Sequence, residues 1–434
     1  MGVTLCALIY AFDHISGAQF NPAVTVGLLV TRKMRLGAAL LYMTAQTLGG
    51  MTGGLLAYAI ASPQDTEPFQ PARGTGPSWA AEFLFAFSLI LVQQNAGAEK
   101  NAREPNSYFG IAVAFEVLAG AAATFAISGG CFNPAIGTGV DFAAILTAKD
   151  SSGLSNVWIY WSAPIAGALA ASAVKTYQNL PSHAEEPGLP SVVPLTEAIG
   201  TFFIVLTASL TNQPLAIGGM VLAMVYMGDH VCGADYNPAV TLGVALRMGV
   251  PPREWWKVAV TMIAQFIGAL AAAFAAYGIA GKVSLPNGGV ESIRGLSGAV
   301  IFEGLWTALL VYVVCAVMTP THGDDDPAAA DERRGHSRSY QGLAIGFVIA
   351  GGIYAAGPLG GGSGGVFNPA LGTAIIVVRV AFGKTDALNQ LWVFWIGPFV
   401  GSLVGAGLFS LLHHHSDPVV VEYVEEAGGE PSFY

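Results

Sequence analysis

The chain has 434 residues, 53% of them hydrophobic and only 11% charged, with 55 glycines. That balance excludes a disordered or nucleic-acid-binding chain and points to a polytopic membrane protein, in which glycine is commoner than in soluble helices. The formal net charge of −10 lies largely in loops and the tail, so it says little about an acidic or basic partner. Cys6, Cys131, Cys232 and Cys315, all in apolar context, give neither a disulfide framework nor a metal-ligand spacing.

In chain order, residues 1–12 are apolar but short of the roughly 20 needed to cross hydrocarbon. They lead into an apolar run at 16–30 that ends at Arg32, Lys33 and Arg35. Spans are expected at 36–61, 79–91 (with Glu82), 108–127 (with Glu116) and 157–177. Residues 178–194 are polar and proline-bearing, which marks a domain boundary. The pattern then restarts with a span that the first unit lacks, 195–210 with Glu197. It continues at 216–231, 255–280, 298–318 (with Glu303), 340–356 and 391–412. The expected organisation is therefore a shortened unit at 1–177, a linker at 178–194, a complete unit at 195–413 and an acidic tail at 414–434. With the linker and tail cytoplasmic, twelve of the 18 Lys and Arg residues fall inside and six outside, which follows the positive-inside tendency.

One tripeptide recurs four times: Asn21-Pro22-Ala23, Asn133-Pro134-Ala135, Asn237-Pro238-Ala239 and Asn368-Pro369-Ala370. Each copy follows a glycine-rich turn and an aromatic residue (Phe20, Phe132, Tyr236, Phe367) and opens a short apolar run. Asn is a strong helix N-cap, and Pro fits the first helical position, where a missing N–H costs nothing. From Asn21 to Asn237 is 216 residues, and from Asn133 to Asn368 is 235. Such a period is a duplicated domain with internal repetition, too long for a solenoid. Each run is too short to cross the membrane, so each reads as a half-helix whose start stops near the midplane. Irregular backbone is tolerated there only against a cavity or inside protein. Paired half-helix N-termini, each carrying roughly half a positive charge, repel cations and offer donors to small neutral molecules.

Together with His14–Gly27, the Ala45-Gln46-x-x-Gly49 and Ala264-Gln265-x-x-Gly268 motifs, and Trp161-x-x-Pro164-x-x-Gly167 and Trp395-x-x-Pro398-x-x-Gly401, these repeats resemble the aquaporins, or major intrinsic proteins. The resemblance covers nearly everything except the linker, the charged loop at 322–339 and the tail. It implies an all-α fold of two tandem six-helix bundles, the first shortened, each with two re-entrant half-helices and a pore. It also implies four pores in a dimer of such chains, passive passage of water and small neutral solutes across a lipid bilayer, and no cofactor, metal or enzymatic role. The family's loop-bracing acids fall on Glu197 and Glu303 in unit two and on Glu82 in unit one. Its filter falls on Met1, Ala121, Gly130 and Ile136 in unit one, and on Ile217, Gly352, Gly365 and Leu371 in unit two, with Ala356 as the alternative to Gly352. Ile136 and Leu371 stand where most members have arginine, so a wider and less polar filter is expected. The competing reading is a closed, non-conducting protein of this fold.

Several residues remain. Asp235 takes the place of Gln19 and reads either as a pore-mouth carboxylate or as a loop brace. Glu116 is an intramembrane acid. Cys131 is a buried thiol beside the second repeat, and His413–His415 form an interfacial cluster. Asp324–Asp326 read as a solvated loop, and Ser337 as a weak phosphorylation candidate. Gly49, Gly53, Gly167 and Gly401 are expected at close helix contacts. Met1 aligns with Ile217, in mid-helix. This yields the expectation that a preceding span with a Glu near its start is wanting, that Glu82 lacks its partner, and that unit one is the poorer pore.

Overall fold

The computed structural model describes residues 1–60, 68–96, 108–148, 151–180, 191–286, 295–318, 327–357 and 363–413, which form helices and connecting turns without a strand. The chain divides into two compact units, Met1–Glu185 with Ala275–Val283, and Glu186–Phe274 with Ser284–Tyr434. The first contains α1 (Gly2–Ser16), α2 (Pro22–Val30), α3 (Leu36–Ile60), α4 (Thr75–Ala96), α5 (Phe109–Ser128), α6 (Pro134–Ala143) and α7 (Val157–Gln178). The second begins with α8 (Val192–Leu210), α9 (Pro214–Cys232), α10 (Pro238–Arg247) and α11 (Trp255–Ala280), the last up to Phe274. It continues with α12 (Gly295–Met318), α13 (Pro327–Ala356), α14 (Pro369–Ala381) and α15 (Val393–Leu412).

Eight helices among the described residues are long and apolar enough to cross a membrane, which makes this an integral, multi-pass protein. Helix α3 is not among them despite its 25 residues, because Thr44, Gln46, Thr47 and Thr52 dilute its apolar character. Helix α8 begins at Val192, ahead of the expected end of the linker. Pro194 sits in its first turn, where the absent N–H needs no partner. Most of the linker, the Asp324–Asp326 run, Ser337, His414, His415 and the tail lie outside what the structure describes of backbone or side chains.

The two units repeat one packing scheme. Helix α4 packs on α5 and α7 as α12 packs on α13 and α15, and α1 on α5 as α9 on α13. Close approach depends on glycine where two backbones touch. Gly167 lies on the backbone of Phe83 and Phe87, and Gly401 on the Gly304 carbonyl. Gly49 and Gly53 do not follow the expectation, since both face open space. Gly268, the counterpart of Gly49, lies against the Ala198 carbonyl of α8, and among the described residues unit one has no helix in that place.

Helix α15 allows a controlled test, because Gly407 faces open space while Gly401 is pressed against α12. Gly401→Leu should lower stability by about 1–3 kcal/mol, the usual cost of overpacking, and Gly407→Leu by much less. Thermal melting in detergent would separate the two.

Candidate pore sites

Each repeat is held by the same backbone device. Ahead of every asparagine the chain makes a left-handed turn: Gly17 and Ala18, Gly129 and Gly130, Gly233 and Ala234, Gly364 and Gly365 all have positive φ. The aromatic immediately before each asparagine is also left-handed, with φ of 49° at Phe20, 52° at Phe132, 51° at Tyr236 and 54° at Phe367. That conformation costs a non-glycine residue roughly 1–2 kcal/mol. The turn presents the aromatic residue's carbonyl to the opposite asparagine. Asn21 Nδ2 donates to Phe132 O at 3.0 Å, and Asn133 Nδ2 to Phe20 O at 2.9 Å. In unit two Asn237 Nδ2 donates to Phe367 O at 2.8 Å, and Asn368 Nδ2 to Tyr236 O at 3.0 Å.

The side-chain oxygens cap the half-helices. Asn21 Oδ1 accepts from Ala23 N at 2.9 Å, Asn133 Oδ1 from Ala135 N at 3.0 Å, Asn237 Oδ1 from Ala239 N at 3.0 Å and Asn368 Oδ1 from Ala370 N at 2.9 Å. Pro22, Pro134, Pro238 and Pro369 open the helices. At 1.5 Å per residue these four helices span about 14–20 Å, half to two-thirds of a hydrocarbon core. Each unit thus brings two half-helices tip to tip at its asparagines. Trp161 and Trp395 pin the second half-helix of each unit, donating to Thr138 and Thr373 hydroxyls at 2.8 Å.

The three acids all reach these loops. Glu82 accepts from Cys131 N at 2.9 Å, Phe132 N at 2.6 Å and the Ser128 hydroxyl at 2.7 Å. Glu303 accepts from Val366 N at 2.9 Å and Phe367 N at 2.6 Å. Glu197 accepts from Asp235 N at 3.0 Å, Tyr236 N at 2.8 Å and Gln265 Nε2 at 2.9 Å. This corrects the expectation that Glu82 stands without a partner, because each acid serves one loop and not another acid. Among the described residues of unit one, no acid takes the place of Glu197. The N–H groups of Gln19 and Phe20, which match those of Asp235 and Tyr236, meet no acceptor among the described residues.

The cavities beside the asparagines differ between units. In unit two a cavity of about 40 Å³ is walled by aliphatic side chains, including Ile204, Val221, Leu310 and Ile349, with Asp235, Asn237 and Asn368 as its polar side chains. Ile217, Gly365 and Leu371 line it. Gly352 does not: its bare Cα faces Trp306 and Phe367, and Ile353 lines the wall instead. One residue of helical register turns a side chain by about 100°, and counting back across a loop of different length misplaces it. Ala356 is buried next to Gly365 but is not a wall residue. In unit one the cavity is about 920 Å³ and includes exposed residues such as Leu8 and Leu41, so it opens to the outside of the unit. Met1 and Ile136 line it, whereas Ala121 and Gly130 do not; Val113, Val117 and Cys131 supply that wall.

Cys131 is buried, with Sγ 3.1 Å from Asn133 O. Glu116 is fully buried beside Ser88. His413 stacks on Phe409 with ring centroids 4.1 Å apart. Among the described residues no cluster of three His, Cys, Asp or Glu could hold a metal ion. The left-handed aromatics are absent from the sequence reading. Their signal is present nonetheless, as an aromatic fixed at the position before all four asparagines.

Glu303→Gln should test the bracing. An amide offers one acceptor where the carboxylate offers two, and it brings two buried donors of its own. A loss of about 1–3 kcal/mol is expected. Glu254→Gln, on the short turn before α11, is the reference and should leave the melting midpoint in place.

The family described as "Major intrinsic protein" matches residues 1–175 and again 189–409. Aquaporin TIP2-3 of Arabidopsis thaliana is 33% identical over 204 residues, which cover 46% of this chain and 71% of that protein. Aquaporin NIP2-3 of Zea mays is 30% identical over 272 residues, covering 59% of this chain and 81% of that protein. Aquaporin-4 of Notomys alexis is 29% identical over 185 residues, covering 42% and 54%. With two matched regions in one sequence and the same half-helix device built twice, the chain belongs to the major intrinsic protein family as a tandem arrangement of aquaporin-like units.

Proposed function

We propose that the chain is a passive channel for water and small uncharged solutes of the glycerol or urea kind, with unit two carrying most of the conductance. The observation that carries this reading is the crossed pair Asn237–Phe367 and Asn368–Tyr236 beside a narrow, mostly aliphatic cavity. Each asparagine amide spends one hydrogen on the opposing carbonyl and keeps a second for a passing solute. Leu371 presents no guanidinium where polar selection would otherwise be tightest, so the passage favours solutes with apolar surface. In unit one the cavity opens to the outside of the unit, which makes a sealed route less attainable. Two chains pairing as a dimer would supply four such units within one bilayer.

The narrow, aliphatic wall of unit two favours a second reading, a dewetted and closed pore with a structural role. Stopped-flow light scattering of vesicles holding the protein, challenged with water, glycerol and urea gradients, decides between them. Flux above that of empty vesicles supports the channel, and its absence supports the closed form. Leu371→Arg should cut glycerol and urea flux by about tenfold while sparing most water flux, the effect of about 1.4 kcal/mol at one constriction. Ile136→Arg should change either flux by less than about twofold. Equal losses from both substitutions would refute the assignment of conductance to unit two.

A further inference from the structure

Three hydrogen-bond donors of unit one stand without the acceptor that their counterparts in unit two possess. There the Glu197 carboxylate accepts Asp235 N–H on Oε1 at 3.0 Å, and Tyr236 N–H and Gln265 Nε2 on Oε2 at 2.8 and 2.9 Å. The Thr241 hydroxyl sets Gln265 for this by accepting its other hydrogen at 2.8 Å. Unit one builds the same frame. Gln46 Nε2 donates to the Thr25 hydroxyl at 3.0 Å and keeps its second hydrogen. The N–H groups of Gln19 and Phe20 meet no acceptor among the described residues.

These donors border the cavity of about 920 Å³. Gln19, Phe20 and Gln46 all line it, and no charged side chain does. Gln19 is only 9% exposed, and its amide nitrogen makes no hydrogen bond among the described residues. The start of α2 beside them adds about half a positive charge. Leu5, Leu8, Val24 and Leu41 make much of the remaining wall apolar, and Leu8 and Leu41 are exposed at its opening. A halide presents one centre, whereas the donor set is divided between two oxygens, as Glu197 shows. A carboxylate matches that division with charge-assisted bonds, and the apolar wall accepts an alkyl tail.

We propose that the unit-one cavity is a binding site for an aliphatic monocarboxylate. Its two oxygens take the N–H groups of Gln19 and Phe20 and the free hydrogen of Gln46, as Glu197 takes their counterparts. Bound there, it holds Phe20 through its N–H as well as its carbonyl, the condition that the other three left-handed aromatics already meet. The binding does not rest on the channel reading above.

The test uses the full chain in detergent micelles and labelled butyrate. Equilibrium dialysis should show one saturable site per chain, and butyramide, of the same shape without the charge, should compete about tenfold less well. Gly49 lines the cavity three residues from Gln46, with open space at its Cβ. Gly49→Glu should abolish binding by fixing a like charge beside the site, and Gly49→Gln should retain it. Thermal melting identifies a variant that fails to fold, and hydrogen exchange of the unaltered chain needs no variant. Saturating butyrate should slow exchange of the segment holding Gln19 and Phe20 and leave that holding Asp235 and Tyr236 unchanged. No saturable site, equal competition by butyramide, or unchanged exchange at Gln19 and Phe20 overturns the proposal. A synthetic helix of residues 192–210 offers the same chemistry from Glu197, and neither it nor its Glu197→Gln form should displace butyrate. Displacement by the first alone would assign the site to the carboxylate of a partner helix and overturn the free acid as its occupant.

Discussion

The structure of both units depends on one crossed contact, an asparagine amide donating to the carbonyl of the aromatic residue that precedes the other asparagine. One side chain does two jobs at once. Its oxygen starts its own half-helix and its nitrogen fixes the distance to the opposing one. Neither aspartate nor serine offers both an acceptor and an amide donor in that geometry. The contact also dictates the backbone before it, because only a left-handed aromatic turns its carbonyl toward the partner. Four strained residues follow from four asparagines.

The strain is held from the other side by acids. The N–H groups of Phe132, Tyr236 and Phe367 each end on a carboxylate oxygen, so three left-handed residues are clamped through both their N–H and their C=O. Phe20 is clamped through its carbonyl alone. Its ring meets Phe12 edge-on at 6.1 Å, and its loop leans on the Thr25–Gln19–Gln46 frame. The first loop of unit one is thus the least restrained of the four, beside the larger of the two cavities.

Much of this is legible in the sequence. The caps and their prolines follow from residue type alone, and the long period between copies announces the duplication. The short motifs are visible as patterns but not as contacts. Gln46 and Gln265 brace the threonine of the first half-helix, and Trp161 and Trp395 that of the second. The errors have physical causes. Gly352 is misplaced because register cannot be carried across a loop of uncertain length. Glu82 is assigned a missing partner because the sequence shows which acids are present, not which backbone they face. The left-handed aromatics break the local preference of bulky residues, and only a tertiary contact can select them.

The far ends of the half-helices show the same constraint met by different residues. A helix C-terminus carries partial negative charge, and a cation near it is favourable. In unit two Arg247 occupies the last turn of α10, its guanidinium 5.0 Å over the Phe409 ring. The matching position on α2 is Thr31, which is uncharged. Unit one instead places Lys175 on α7, buried and donating to Asn95 Oδ1 at 2.7 Å, at the position that aligns with Phe409. Helix α7 packs directly on α2, with Ser172 Oγ 3.4 Å from Gly27 O one turn before Lys175. In unit one the end of α2 is instead followed directly by Arg32 and Lys33, whose N–H groups close it on the Leu29 and Leu28 carbonyls. A cation thus stands at the carbonyl end of the first half-helix in both units, within the last turn in one and just beyond it in the other.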